Sequence, residues 1–292
     1  MELKFAIREA RASDKDFVLR FARSTFEWGD YIENVWDSWL ADTSGKMFVA
    51  TFRDTPVGLI HAVTLKRDEA WLEGVRVAPE VRRMGVASLL NDASFKWALE
   101  HGAKIVRAVT DSTNYIAQKA LVKYGFRFVS DWAVMEFDGC QLESHQNARL
   151  ADESDLDTVW KFLRSSQRFK ESGGLYSVVF RWKSLDKIDL QGFVDRRMAV
   201  VCEHDNTICG LTLLDDTVKH VWQENMMQIS YVDGDSEAVL DMGRFLKGTF
   251  YEEGVAFIHG IILNVEPIVS AFSELGFDRG EHSEFVYEKR LS

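Results

Sequence analysis

Arg82-Arg83-Met84-Gly85-Val86-Ala87 is the segment of this chain best equipped for chemistry, because it sits between an apolar run, Trp71 to Val77, and a helical pattern. From about Val86 to His101, residues Val86, Leu89, Leu90, Ala93 and Trp97 fall on one helical face, with Gly102 beyond the end. A strand therefore runs into a basic turn and straight into a helix. Consecutive backbone N–H groups at a helix N-terminus bind anions, and glycine or alanine there lets a phosphate come close, so the segment suits a diphosphate. A second stretch, Phe26 to Leu40, is rich in aromatics and acids. Trp28, Asp30 and Tyr31 are suited to a cationic amine through cation–π and charge contacts; Trp36 and Trp39 read equally as core, and the acids as solvated. His61, in the apolar strand Gly58-Leu59-Ile60-His61, is either a titrating group or a satisfied core residue.

Other chemistries lack their residues. The three cysteines, Cys140, Cys202 and Cys209, form no Cys-x-x-Cys pair, which argues against a disulfide framework or a zinc ribbon and for small core hydrophobes. The seven histidines make no His-Glu-x-x-His pattern, and no P-loop or Gly-x-Gly-x-x-Gly loop occurs, so neither a metal nor a nucleotide of those kinds is expected. A net charge of -11 disfavours a broad nucleic-acid surface but leaves room for a local anion pocket. With 46% hydrophobic and 28% charged residues the composition is globular. No stretch approaches the roughly 18 apolar residues of a membrane span. The first residues, Met1 to Arg8, show no apolar export segment, and a cytoplasmic location is expected.

A length of 292 residues suits two domains, and the chain repeats itself. Ala10-Arg11-Ala12-Ser13-Asp14 lies over Ala151-Asp152-Glu153-Ser154-Asp155, 141 residues on, each reading as a helix start with Ser13 or Ser154 as cap. Asp54-Thr55-Pro56-Val57-Gly58-Leu59 is echoed by Asn206-Thr207-Ile208-Cys209-Gly210-Leu211, a polar turn opening a strand. Ala120-Leu121-Val122-Lys123-Tyr124-Gly125-Phe126 is echoed by Ala271-Phe272-Ser273-Glu274-Leu275-Gly276-Phe277, a helix ending on glycine before a strand. The order and drift of these echoes predict two copies of one fold, the second carrying an insertion of about ten residues. The copies are expected at 1–140 and 146–292, divided in the polar stretch Asp138 to His145. In the first copy, strands near 5–9, 47–53, 57–65, 70–77 and 104–110, helices over 14–40, 86–101 and 115–124, and closing strands through 126–137 give a layered α/β (α+β) domain.

On these residues the chain resembles the GNAT superfamily of acetyl-CoA-dependent acetyltransferases. The family's Arg/Gln-x-x-Gly-x-Gly/Ala loop matches Arg82 to Ala87, its strand matches Val75-Arg76-Val77-Ala78-Pro79, and its Asn-x-x-Ala and Gly-Phe segment matches Asn114-Tyr115-Ile116-Ala117 with Gly125-Phe126. The resemblance implies that acetyl-CoA is the co-substrate, with no metal. It assigns the pyrophosphate to backbone N–H groups of Arg82, Arg83, Met84, Gly85, Val86, Ala87 and Ser88, and the pantetheine arm to Val75, Arg76, Val77, Asn114 and Ala117. Val75 N–H then stabilises the oxyanion. A protonated amine is a poor nucleophile, so a base near Val75 is useful. Side chains alternate along a strand, which puts Trp71, Glu73, Val75 and Val77 on one face and makes Glu73 the first candidate, although the family's acid lies nearer the position of Trp71. Glu73 reads equally as a carboxylate paired with arginine, and His61 is the substitute base or an acceptor contact. The family's thiolate-protonating tyrosine falls on Leu121, which has no proton to give. Tyr124, one turn on, is either its replacement or packing at the helix end.

The same resemblance places Trp28, Asp30, Tyr31 and His61 on the acceptor side. In the second copy, Tyr231-Val232-Asp233-Gly234-Asp235-Ser236-Glu237-Ala238 puts acids where the first has arginines, and at 4 Å each would repel a phosphate by about 4 kcal/mol. That copy is expected to be degenerate, closing the acceptor cleft or packing as a pseudo-dimer partner. The function expected is transfer of acetyl to an amine (small molecule, amino acid or peptide) by direct attack in a ternary complex, with a non-catalytic acyl-CoA sensor as the alternative. The partners expected are that amine and no nucleic acid or membrane, in a monomer with an internal pseudo-dimer or in a homodimer.

Overall fold

Each sequence echo is a small structural device built twice. In the first, Asp14 accepts Arg8 Nη1 at 2.7 Å and the Arg11 backbone N–H at 2.8 Å, tying strand β1 (Ala6–Glu9) to helix α1 (Lys15–Ala22). Asp155 does the same with Arg149 at 2.6 Å and the Asp152 N–H at 2.9 Å, ahead of the helix Leu156–Ser165. The expected serine caps are not the working groups: Ser154 instead gives both its N–H and its hydroxyl to Asp152, and the aspartate, an acceptor with several lone pairs, anchors the turn. In the second device, the pairs Arg53/Asp54 and Asp205/Asn206 all have φ between 48° and 65°, the left-handed pair that a two-residue hairpin requires. In the third, Gly125 (φ 85°) and Gly276 (φ 86°) end helices, with Phe126 N–H returning to Leu121 O and Phe277 N–H to Phe272 O, both at 3.0 Å.

The structure is a computed structural model that describes residues 4–23, 25, 29–138, 144–217 and 225–292. The chain forms two compact units. The first comprises Met1–Ala108, Ala120–Arg127 and Glu288–Ser292; the second comprises Val109–Lys119 and Phe128–Tyr287.

In the first unit, β1 and α1 are followed by α2 (Ile32–Ala41), β2 (Gly45–Phe52), β3 (Thr55–Lys66), β4 (Glu69–Val77), α3 (Val86–Glu100), β5 (Ile105–Asp111), whose last residues belong to the second unit, and α4 (Tyr115–Lys123), which begins in the second unit and ends in the first. The sheet runs β1-β2-β3-β4-β5, antiparallel except for the parallel pair β4–β5. Helices α1 and α2 bury Val18, Leu19, Ile32, Trp36 and Trp39 against Met47, Val49 and Leu59 of the sheet, so Trp36 and Trp39 are core. The carboxy-terminal residues belong to this unit: Glu288 accepts Arg107 and Arg127 at 2.9 Å, and Leu291 N–H bonds Lys104 O at 2.8 Å.

The second unit holds β6 (Arg127–Asp138), β7 (Ala148–Leu150), α5 (Leu156–Ser165), α6 (Gln167–Glu171), β8 (Leu175–Val178), β9 (Arg181–Ser184), α7 (Lys187–Asp195), β10 (Ala199–His204), β11 (Thr207–Asp215), β12 (Met226–Gly234), α8 (Ser236–Glu253), β13 (Phe257–Leu263), α9 (Glu266–Glu274) and β14 (Asp278–Arg290). Its order, β14-β6-β13-β12-β11-β10-β7, repeats the first plan, again with one parallel pair, β12–β13. The hairpin β8–β9 lies before β10, where the added length of the second copy was expected, and has no counterpart among the described residues of the first. The strand β6, read from sequence as completing the first copy, pairs instead with β13, from Phe257↔Asp138 to Leu263↔Trp132. Strand propensity could not reveal this, because an alternating segment carries no label for its partner.

Candidate active site

The centre of the first unit is an irregularity in β4. Its register against β3 steps from His61↔Glu73 to Leu59↔Arg76, so Gly74 and Val75 stand opposite Ile60 alone. Such a bulge leaves one residue outside the ladder and twists the strand. Only glycine serves at its first position: φ is +68°, and a Cβ on Gly74 would lie 2.6 Å from the Trp39 ring. Val75 is consequently 38% exposed in a strand whose other residues are buried or half-buried. Pairing of β4 with β5 ends at Trp71↔Arg107, and the rest of β4 runs on with its edge on that side outside the ladder.

The bulge also corrects the expected alternation. Residues paired across a ladder share a face, so Trp71 (opposite Val63), Glu73 (opposite His61) and Arg76 (opposite Leu59) lie on one face. Val77 lies opposite Gly58, on the face covered by α3, where Val86 and Leu90 approach that glycine. Glu73 therefore shares its face with Arg76 and not with Val77.

Beyond β4, Ala78 N–H bonds Val57 O at 2.9 Å, and Pro79–Val81 makes a single tight turn. Arg83 (φ 65°) and Gly85 (φ 85°) are left-handed, which turns the chain into α3 with no side chain capping its N-terminus. A Cβ on Gly85 would meet nothing within 4 Å, so the space over this backbone is open. Arg82, Arg83 and Met84 are exposed; Arg82 Nε bonds Val77 O at 3.2 Å; Val86 is buried under α3, and Ala87 and Ser88 are half-buried in its first turn. An uncapped fifteen-residue helix behind a left-handed glycine fits a diphosphate: unpaired N–H groups, dipole and cations act together.

On the opposite face of β4 the acceptor-side residues converge. His61 Nδ1 is 2.9 Å from Glu73 Oε1, and its Nε2 is 3.8 Å from Asp42 Oδ2. The imidazole stacks on Trp39 at 4.5 Å, and Trp39 meets Tyr31 edge-on at 6.0 Å. His61 is fully buried and Glu73 is 15% exposed. The Arg76 guanidinium is taken by Asp30, at 2.5 Å from Nε and 3.2 Å from Nη2, and lies over the Tyr31 ring at 5.3 Å. Arg76 thus has only its backbone to offer a cofactor, and Asp30 is a buried structural partner, not a free acceptor charge. Burial pushes the Tyr31 phenol up to about 12, Arg76 opposing the shift, so Tyr31 is a neutral donor at ordinary pH. Trp28 lies outside the described residues, as does Cys140. Asp42 and the Trp39 platform carried no signal in the sequence, since neither belongs to a spaced pattern.

Asn114 lies in the second unit, closing a turn in which its N–H bonds Asp111 O at 3.0 Å. Its Oδ1 accepts Ala117 N–H at 3.1 Å as the cap of α4, which leaves the amide nitrogen as the group for a ligand. In the first unit, Leu121 is half-buried, and Tyr124 follows α4 with its carbonyl bonded to Lys289 Nζ at 2.6 Å.

The second copy repeats the framework with its openings filled. Strand β12 bulges at Ser230, between Leu214↔Ile229 and Leu213↔Tyr231. Here Ser177 of β8 bonds Ser230 O at 3.2 Å, Gln228 holds Ser177 and Val179, and Phe169 of α6 packs on Tyr231. Helix α8 is capped by Asp235, which accepts Ala238 N–H at 2.9 Å where α3 is bare. Asp233, expected to face a phosphate, turns inward to Tyr231 Oη at 2.7 Å, and burial holds its carboxyl above the usual range. Among the described residues no group of three or more His, Cys, Asp or Glu could hold a metal ion, and no helix is long and apolar enough to cross a membrane.

Comparison with known proteins agrees with this plan. Residues 14–126 match the Acetyltransferase (GNAT) family. No curated protein matches the chain. Among solved structures, a GCN5-related N-acetyltransferase from Sphaerobacter thermophilus is 15% identical with a TM-score of 0.63, covering 98% of this chain and 96% of that one. A glucosamine N-acetyltransferase region of a fungal multi-domain GH3 β-N-acetylglucosaminidase is 14% identical with a TM-score of 0.65, covering 99% of this chain and 38% of that one. A tandem GNAT protein from the clavulanic acid biosynthesis pathway is 12% identical with a TM-score of 0.53, covering 99% of each chain. At these identities the structural likeness speaks to the fold.

Proposed function

We propose, from the match of residues 14–126 to the Acetyltransferase (GNAT) family and the fold shared with a tandem GNAT protein, that the second copy is degenerate and that the first moves an acetyl group from acetyl-CoA to an amine by direct attack in a ternary complex. The observation that carries the reading is β4 itself. One strand ends in an uncapped helix N-terminus and, at its bulge, sets an exposed backbone residue beside an acid bonded to histidine.

In this reading the N–H groups of Arg83 and of Gly85 to Ser88 hold the pyrophosphate, those of Arg82 and Met84 being bonded to Pro79 O and Val81 O at 3.3 Å, and the free edge of β4 at Val75 and Val77 pairs with the pantetheine arm. Val75 N–H, released from the ladder by the bulge, polarises the carbonyl. Glu73 takes the proton from the attacking amine, and the contact of His61 Nδ1 with its Oε1 at 2.9 Å orients the carboxylate. Tyr31 presents aromatic surface and a neutral hydroxyl to the acceptor. The two copies, divided near residues 140–146, have different tasks: the second, whose openings are filled by its own chain, supports the first. An acetyl-CoA donor is consistent with a cytoplasmic location.

The test is thiol release from acetyl-CoA by the full-length protein with spermidine, tyramine, glycinamide and a lysine-containing peptide. Amine-dependent release establishes the transferase, and the fastest amine defines the acceptor class. Binding of acetyl-CoA with no release for any of them would instead favour the acyl-CoA sensor, a reading that draws on the hydrocarbon at Leu121.

A further inference from the structure

Two arginines of the first unit lie on carbonyls of β4. In an antiparallel ladder, residue pairs that exchange no hydrogen bond turn their N–H and C=O groups away from each other, the bonds falling one residue to either side. Gly58↔Val77 is such a pair, because Ala78 N–H bonds Val57 O at 2.9 Å. Val77 O therefore points away from β3, to the edge that β5 leaves unpaired beyond Trp71, and there it accepts Arg82 Nε at 3.2 Å. At the bulge, Val75 O accepts Arg76 Nη1 at 3.1 Å. The two arginines differ in freedom. Arg76 is buried and clamped by Asp30, whereas Arg82 is exposed at the start of the loop whose N–H groups are assigned to the diphosphate. A guanidinium on Val77 O stands where an amide of the pantetheine arm would pair, so Arg82 and the arm are alternatives at that carbonyl. The second copy lacks both parts: Gly234, opposite Gly210 as Val77 is opposite Gly58, is followed by Asp235 and then at once by α8.

We propose that Arg82 is a latch that makes binding of the arm depend on the diphosphate, and so selects CoA thioesters over thioesters that carry the pantetheine arm alone; this rests on the acetyltransferase reading given above. A diphosphate at the loop offers the guanidinium charged oxygens in place of a neutral carbonyl, and hydrogen bonds to ionised acceptors are the stronger ones. Drawing Arg82 to the diphosphate frees Val77 O for the arm. The coupling is reciprocal, each ligand raising the affinity of the other by the same factor.

The experiment is calorimetric titration of acetylpantetheine, a thioester without the diphosphate, into the full-length protein with and without saturating inorganic pyrophosphate, for wild type, Arg82→Met and Arg83→Met. Melting temperatures serve as the control for folding. Pyrophosphate should raise the wild-type affinity at least about tenfold. Arg82→Met should bind acetylpantetheine without pyrophosphate as tightly as wild type does with it, and pyrophosphate should then change nothing. Arg83→Met removes the same charge from the same loop and should keep the rise. No pyrophosphate effect in wild type, an undiminished effect in Arg82→Met, or its loss in both variants alike would overturn the latch, and acetyl-CoA binding by wild type would leave the transferase standing. Absence of acetyl-CoA binding by wild type would overturn both.

Discussion

Glu73 and His61 are the residues whose chemistry can be separated by substitution. Glu73→Gln keeps the shape and the hydrogen bond but not the base, and a positioned base contributes about 10²- to 10⁴-fold. The expected outcome is a loss of that order in kcat/KM, largest toward pH 6 and shrinking toward pH 9 as free amine accumulates. A normal rate across that range would remove Glu73 from the mechanism. His61→Asn retains a donor near the Nδ1 position and should keep more activity than His61→Ala. Residue identity exposed these two groups in the sequence, but not their relation. The pleat rule put Glu73 with Val77, whereas the glycine at 74 inserts one residue and turns Glu73 toward Arg76 and His61.

At the scale of elements, the repeated devices were legible because each depends on a few local residues: an Arg–Asp tie, a left-handed hairpin pair, a helix-ending glycine. The Asp14 carboxyl, hydrogen-bonded by Arg8, lies below the usual carboxylate range, and Asp155 does so with Arg149. A depressed carboxylate stabilises the fold above its unfolded pKa of about 3.9, and that stability is lost as pH falls through the folded value. Arg8→Met should cost about 1–3 kcal/mol at pH 7, and the difference from wild type should narrow as pH falls below about 3.9, as read by denaturant unfolding. An unchanged stability at pH 7 would make the tie incidental. What the elements did not disclose was long-range partnership. Strand β6 has the alternation of any half-buried strand, and only its packing shows that it serves β13. The plugging of the second copy by β8 and α6 was equally hidden, since it works through neutral serine, glutamine and phenylalanine contacts with no charge pattern.

For the whole molecule, the contrast between copies decides stoichiometry and acid tolerance. His259, in β13, is held down to about 4 by burial. Its unfolded form takes up a proton near 6.5, so stability should be full above that value and decline as pH falls toward 4. A melting temperature followed over that window should fall less steeply in His259→Gln, and an identical slope would place the acid sensitivity elsewhere. The central claim concerns the other copy: an uncapped α3 behind Gly85 binds acetyl-CoA, whereas α8, closed by Asp235, does not. The most direct test is calorimetric titration of acetyl-CoA into the full-length protein and into Gly85→Val. Nothing lies within 4 Å of the added Cβ, but φ +85° strains a β-branched residue there, so the melting temperature of the variant is read beside its titration to separate lost binding from lost fold. The account predicts about one equivalent bound by wild type and none by the variant. Two equivalents, or an affinity unchanged by Gly85→Val, would contradict it.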